Sequence, residues 1–215
     1  MIKHIFFDFN GTIIDDVDLC IGLLNEILEN QNKKTVSKEE YKNVFKFPIR
    51  QYYIDAGVDF NIESFESLAV KFIEKYQPAS LKCGLYNGTV EAVKYFKSKG
   101  IKVYILSASE KTNLIEQCNH YGITDLFDDI LGIDNIHASS KISIATDFIN
   151  NNNINIDEAI FVGDTLHDFE VANAMGVNCY LVSCGHQSVD VLSKASVPII
   201  SDIKALRGVI DEISN

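Results

Sequence analysis

Short apolar runs separated by longer amphipathic stretches set the rhythm of this chain. HIFFDF (4–9), KVYILS (102–107), EAIFVG (158–163), VNCYLV (177–182) and VPII (197–200) are largely apolar at successive positions rather than alternate ones. That pattern predicts strands buried on both faces, as in a parallel sheet covered by helices. Between the runs, TVEAVKYFKSKG (89–100) puts Val90, Val93 and Phe96 on one face and stops at Gly100, a residue suited to closing a helix. EKTNLIEQCNHYG (110–122) ends the same way at Gly122. LHDFEVANAMG (166–176) and DIKALRGVIDEI (202–213) are also helical in period. The alternation predicts α/β architecture.

One stretch breaks the rhythm. Residues 17–82 hold no convincing strand and read as four helices, Val17–Asn30, Ser37–Phe45, Pro48–Ala56 and Ile62–Tyr76. Ser37 followed by Glu40 is a capping box, and Pro48 suits a first helical turn. The block is too long for a strand-to-helix loop. It is expected to form a smaller helical domain, 17–82, inserted into a core made of 1–16 and 83–215. Linkers are expected near Asp15–Asp18 and Leu81–Asn87.

Composition narrows the class of protein. The chain has 215 residues, is 47% hydrophobic and carries a formal net charge of −11. It can bury a sizeable core, and its charge disfavours a nucleic-acid backbone as partner. A small anionic ligand stays compatible, because a metal or a few cations reverse the sign inside a pocket. The five cysteines are scattered without a C-x-x-C pair, which points to reduced thiols rather than disulfides or a zinc site. No signal-peptide pattern and no segment of spanning length is evident. The expectation is a cytoplasmic protein without membrane contact, monomeric or homodimeric.

Polar residues fall at telling places. The first predicted strand stops at Asp8, the second at Ser107, and the third runs through Gly163 into Asp164. In an open parallel sheet the C-terminal strand ends share the edge where ligands bind. A carboxylate there can attack phosphorus as a covalent nucleophile. Asp164 and Asp168, four apart around a strand-to-helix turn, suit Mg²⁺, which takes one or two carboxylates together with phosphate oxygens. Taken alone, Asp168 is the ordinary acid of a first helical turn. Its place in GDTLHD after an apolar strand favours the functional reading. Lys141 opens a further helix behind a Ser139 or Ser140 cap and can reach the same edge, with Lys102 and Lys111 as rivals on charge alone.

In this order the pieces resemble the haloacid dehalogenase superfamily, specifically its phosphoglycolate-phosphatase-like members with a small helical cap. FFDFNGT resembles the nucleophile loop, VYILSAS the phosphate-binding strand end, Lys141 the lysine signature and FVGDTLHD the metal loop. The resemblance implies a Rossmann-like parallel-sheet core with a mobile cap. It implies a Mg²⁺-dependent phosphomonoester hydrolase forming an aspartyl-phosphate on Asp8. Asp8, Asp164 and the main-chain carbonyl of Asn10 would hold the metal, with Asp168 in or beside that shell. Ser107 and the Ala108 amide would bind phosphate oxygens, and Lys141 would offset their charge. Ala108 departs from the Asn frequent in such phosphatases.

Asn10 is the departure that matters. Members of this family carry a second Asp there, which protonates the leaving group and then activates water. An amide donates a hydrogen bond but cannot exchange a proton in this way. Losing that help costs roughly 10²–10⁴-fold in rate. By formal charge, Asp8, Asp164 and Asp168 balance Mg²⁺ and Lys141, so Asn10 favours holding a phosphate dianion while weakening turnover. Three readings stay open: a natural variant with another proton-transfer group or slower activity, an introduced substitution that traps the phospho-enzyme, and a phospho-ligand-binding or regulatory protein without turnover. Asp15, Asp16, His137 and His167 are the neighbouring candidates for a replacement base.

Substrate choice is expected to lie in the helical insert. Arg50, in KFPIRQYY (46–53), is a candidate partner for a carboxylate or second phosphate. It joins Ser107, Ala108 and Thr12 as an expected substrate contact. A small phosphorylated metabolite, phosphoglycolate-like or a sugar phosphate, fits the resemblance. A phosphonatase needs an insert lysine, for which Lys38, Lys42 and Lys46 are available.

Overall fold

The computed structural model describes residues 1–133 and 140–214. The chain opens with β1 (His4–Phe7) and a short β2 (Ile14–Asp15), then four helices: α1 (Val17–Asn30), α2 (Lys38–Val44), α3 (Ile49–Asp55) and α4 (Phe65–Ser80). Next come β3 (Gly84–Leu85), α5 (Thr89–Ser98), β4 (Lys102–Glu110), α6 (Lys111–His120), β5 (Asp129–Ile133) and α7 (Lys141–Asn151). The chain continues through β6 (Ala159–Gly163), α8 (Leu166–Met175), β7 (Asn178–Val182), α9 (Val189–Leu192), β8 (Ile199–Ile200) and α10 (Leu206–Ser214).

Six strands form a parallel sheet in the order β5-β4-β1-β6-β7-β8. Its strands alternate their side chains between two cores. Ile5 and Phe7 join one cluster with Phe96 of α5, Leu114 of α6 and Ile210 of α10. Phe6 turns the other way, towards Ala145 of α7, Val171 of α8 and Leu192 of α9. The sheet is therefore covered on both sides, which is why its strands read as continuous apolar runs. β1 lies at the centre, where the chain first builds outward through β4 and β5 and then returns to build through β6, β7 and β8. That reversal is the topological switch point of the sheet.

The α/β class and four of the five expected strands stand, and VPII is paired only over Ile199–Ile200. β5 is an addition that periodicity did not reveal: Asp128, Asp129 and Gly132 break its apolar run. β4 runs on to Glu110, with a register shift between Leu106 and Glu110 that leaves Ser107 at an irregularity. Helix α4 continues through Pro78 to Ser80.

Helices α1 to α4 sit between β2 and β3, which pair antiparallel as Ile14↔Leu85 and Asp15↔Gly84. They form an apolar cluster of their own around Leu24, Leu28, Tyr41, Tyr52, Tyr53 and Leu68. The Ser37–Glu40 capping box opens α2 as the sequence indicates. Among the described residues no helix is long and apolar enough to cross a membrane.

Candidate active site

The loop after β1 supplies the first functional group. The Asp8 amide donates to the Val162 carbonyl at 2.8 Å, so the backbone stays in the sheet up to the residue whose carboxylate reaches the C-terminal edge. Gly11 follows at φ +72°, and a Cβ there would stand 2.3 Å from Asp164 Oδ2. Only glycine tolerates both the left-handed backbone and that approach.

Asp164 and Asp168 flank the start of α8. Thr165 caps this helix: its hydroxyl accepts from the Asp168 amide while the Asp168 carboxylate accepts from the Thr165 amide at 3.0 Å. Asp168 Oδ2 also accepts from the Asp164 amide at 3.1 Å and the Thr165 hydroxyl at 2.8 Å. Asp164 accepts from the Thr12 hydroxyl at 3.1 Å and the His186 amide at 2.6 Å. Both carboxylates are held before any ligand arrives.

Lys141, the first residue of α7 behind the Ser140 cap, is 3% exposed. Its ammonium donates to Asp8 Oδ1 and, at 2.6 Å, to Asp168 Oδ1. Burial drives the Lys141 pKa down, but Asp168 and Asp8 outweigh it and the pKa is raised. Burial, reinforced by Asp168 and Asp164 and opposed by Lys141, pushes the Asp8 carboxyl well up. Burial likewise brings Asp164 to about 6 against the opposing His186 charge. Asp168 lies below its usual range, because the Lys141 charge and hydrogen bond overcome its burial.

Asn10 belongs to a second network. Its Nδ2 donates to Asp16 Oδ2 at 3.0 Å and to the Tyr76 hydroxyl, while its Oδ1 accepts from the Ser109 hydroxyl at 3.1 Å. Asp16 also accepts from the Tyr76 hydroxyl at 2.6 Å and the Gly11 amide at 2.9 Å. His186 Nε2 stands 3.2 Å from Asp16 Oδ1, and its Nδ1 is 2.8 Å from the Tyr41 hydroxyl. Burial alone would lower the His186 pKa, but Asp16 and Asp164 raise it to about 9. Both ring nitrogens then donate, the Nε2 to a carboxylate and the Nδ1 to a phenol oxygen. Burial works against an ionised Asp16, yet the His186 charge and the converging hydrogen bonds hold its pKa down.

These groups border a cavity of about 480 Å³. The sheet edge lines it with Asp8, Asn10, Ser107, Ala108, Lys141, Asp164 and Asp168, and the segment from α1 to α4 with Phe45, Phe47, Ile49, Phe72, Ile73 and Tyr76. Two sequence expectations are corrected here. Thr12 is fully buried, directs its hydroxyl to Asp164 and does not line the cavity. Arg50 lies on the outer face of α3, its guanidinium 4.9 Å from the Phe60 ring centroid and 3.6 Å from Glu66. The helix turns Tyr52 and Tyr53 inward instead.

The candidate bases separate as well. Asp16 is brought to Asn10, whereas Asp15 is exposed in β2. His167 packs against Phe47, centroids 4.6 Å apart, and pairs with Glu170. His137 lies outside the described residues. Lys38 pairs with Asp18, Lys46 with Asp55, and Lys42 donates to the carbonyls of Ser183 and Cys184. None of the three lines the cavity. His186 was not foreseen. Its signal was available, since CGHQS follows the apolar run of β7 just as GDT follows that of β6.

The donor set fits a hard divalent cation. Asp8, Asp164 and Asp168 bring carboxylate oxygens within 4.8 Å of one another, all buried. Three acids against one lysine leave negative charge to offset, and oxygen donors suit Mg²⁺. Asp16, Cys20 and His186 also cluster within that distance. There, however, the histidine is committed to Asp16, and burial first of all pushes the Cys20 thiol well up.

A model of haloacid dehalogenase-like hydrolases matches residues 5–182 of the chain. Phosphoglycolate phosphatase 1 of Pseudomonas aeruginosa is 21% identical over 207 residues, covering 93% of this chain and 76% of the relative. Phosphoglycolate phosphatase of Rhodospirillum rubrum is 20% identical, covering 96% of this chain and 90% of the relative. A solved haloacid dehalogenase-like hydrolase from Streptococcus pneumoniae superposes with a TM-score of 0.81 at 16% identity, covering 97% of this chain and 98% of that one.

Proposed function

Because the chain belongs to the haloacid dehalogenase-like hydrolase family, we propose that it is a Mg²⁺-dependent phosphomonoester hydrolase with Asp8 as nucleophile. The observation that carries this is the convergence of Asp8, Lys141, Asp164 and Asp168 at one sheet edge, on the border of one cavity. The relatives named for phosphoglycolate support a small phosphorylated metabolite as substrate.

In the first step an Asp8 oxygen bonds to phosphorus as the ester oxygen leaves with its electron pair and takes up a proton. In the second, water attacks phosphorus, gives up a proton and frees the Asp8 carboxylate and inorganic phosphate. Lys141 steers Asp8 and offsets charge on the phosphoryl oxygens. Ser107 and the Ala108 amide are the hydrogen-bond donors for those oxygens. Asp8, Asp164, Asp168 and the Asn10 carbonyl would hold Mg²⁺, which supplies further positive charge.

Both hydrogens of the Asn10 amide go to Asp16 and Tyr76, and an amide cannot protonate the ester oxygen. Turnover is accordingly slower than with a carboxyl at this position, by roughly 10²–10⁴-fold. Asp16 is the ionisable group attached to the Asn10 amide, and its partner His186 borders the cavity too.

Asn10 also supports a second reading, a phospho-ligand-binding protein on the same fold that does not turn over. A phosphatase screen with Mg²⁺ on the natural chain and on Asn10→Asp separates the two. Phosphate release from either carries the hydrolase reading. If neither releases phosphate from any monoester while inorganic phosphate still binds, the binding reading takes its place.

A further inference from the structure

We propose that the substrate's leaving group is an uncharged alcohol with an aromatic or branched apolar body, and not a carboxylic acid, a second phosphate or a sugar. This inference rests on the phosphatase reading above and assigns the far side of the same cavity.

Consider first what an anionic leaving group would meet. Among the described lining residues, those that carry or can take positive charge are Lys141, His167 and His186. Lys141 is committed to Asp8 and Asp168. His186 has both ring nitrogens in hydrogen bonds to Asp16 and Tyr41. His167 turns Nδ1 to Glu170, 3.0 Å away, and packs its ring on Phe47. Helices α1 to α4 contribute no lysine or arginine to the lining, and Arg50 lies over the Phe60 and Phe65 rings.

The acids reinforce this. Asp8, Asp16, Asp164, Asp168 and Glu110 all border the cavity. They outnumber the lining side chains that carry or can take positive charge, Lys141, His167 and His186. The N-terminus of α6 is closed to anions too. Glu110 accepts from the Thr112 and Asn113 amides, each at 2.9 Å, and so places its own carboxylate where an anion would dock.

A sugar fares little better. Its several hydroxyls need several partners, since a buried polar group left unpaired is costly. Of the amide side chains that line the cavity, Gln117 donates to Ser80 at 2.8 Å, Gln77 to Glu116 at 2.9 Å, and Asn10 is tied to Asp16, Tyr76 and Ser109, which leaves Asn113 alone to meet a ring of hydroxyls. The segment from α1 to α4 lines the cavity with Phe45, Phe47, Ile49, Phe72 and Ile73. Phe47 and Ile73 keep 38% and 51% of their surface exposed, apolar area that such a leaving group would cover. A hydrophobic pocket with a few fixed polar groups at one end selects in this way.

The test reads binding apart from chemistry. Calorimetry with Mg²⁺ compares two inert phosphonates, benzylphosphonate and phosphonoacetate, on the natural chain and on Phe72→Arg. Hydrolysis of benzyl phosphate and 2-phosphoglycolate, both primary alkyl esters, runs in parallel. The expected result is benzylphosphonate bound at least about tenfold tighter, a preference that shrinks or reverses in Phe72→Arg. Phosphonoacetate bound as tightly or tighter on the natural chain overturns the proposal, as does binding of neither. If the binding order holds but neither ester is hydrolysed, the apolar assignment stands, and the phosphatase reading fails if Asn10→Asp also leaves both esters and every other monoester intact.

Discussion

On the sheet side of the cavity, Asp8, Lys141, Asp164 and Asp168 are buried and tied to one another or to backbone amides. On the helical side, Phe45, Phe47, Ile49, Phe72 and Ile73 meet the same space with no charge at all. The first wall is held by directional bonds with little room to move: a methyl group on Gly11 would collide with the Asp164 carboxylate. The second is held by packing within the α1–α4 cluster and tolerates exchange of one apolar side chain for another. Chemistry that demands fixed geometry is thus expected from the sheet edge, and discrimination between substrates from the helices.

The largest break in that contrast is removal of the nucleophile. Asp8→Asn is expected to abolish phosphate release, read as inorganic phosphate formed with Mg²⁺ present, in a variant that still melts as a folded protein. Retained turnover would mean that the sheet wall does not supply the attacking group.

Next comes Lys141→Met, which keeps the volume and deletes the charge. Two buried carboxylates, Asp8 and Asp168, then lose their cation, at a cost of roughly 3–5 kcal/mol in stability. Urea melts with and without Mg²⁺ measure it, and the ion is expected to restore part of the loss because it binds the folded state. An unchanged midpoint would show that Lys141 does not lock this wall.

Asn10→Asp sharpens the contrast from within. The introduced carboxyl takes the place of an amide that donates to Asp16 at 3.0 Å. The neighbouring negative charge favours its protonated form, as an acid for the leaving group requires. Turnover is expected to rise about 10²-fold or more, read as steady-state kcat. No gain would assign the limiting proton transfer to another group, with Asp16→Asn and His186→Gln as the next variants to assay.

The smallest effect belongs to the helical wall. Glu40 caps α2 through the Ser37 amide at 2.7 Å, and that backbone bond first of all lowers its pKa to about 2. A depressed carboxyl adds stability that is present above its ordinary value, near 4.5. That stability disappears as pH falls towards 2. Glu40→Gln is therefore expected to melt lower than the natural chain at neutral pH and to converge with it in acid. Equal Tm values at neutral pH would remove this cap from the account.

Much of the sheet wall was legible in the sequence, because one rule covers it: an apolar run buried on both faces ends at a shared edge, and polar residues there stand out. Asp8, Ser107 and Asp164 follow that logic, whereas Lys141 opens a helix and had Lys102 and Lys111 as rivals on charge alone. The helical wall resisted for a physical reason. Arg50 and Tyr52 are two residues apart on α3, and only the packing of α1 and α2 against it decides which one turns inward. His186 escaped because its meaning depends on β7 pairing beside β6 and on Tyr41 arriving from α2. Asn10 was recognised as the anomaly, whereas its attachment to Asp16 and Tyr76 needed the three-dimensional structure.

The central claim, nucleophilic attack by Asp8 in a site whose proton exchange at position 10 is impaired, is tested most directly by rapid quench followed by peptide mapping. The natural chain is mixed with a hydrolysed monoester and Mg²⁺, stopped in acid and mapped. Phosphate on the Asp8 peptide is predicted in the natural chain, shorter-lived in Asn10→Asp and absent in Asp8→Asn. Phosphate on any other residue, or steady release from Asp8→Asn, would contradict the account.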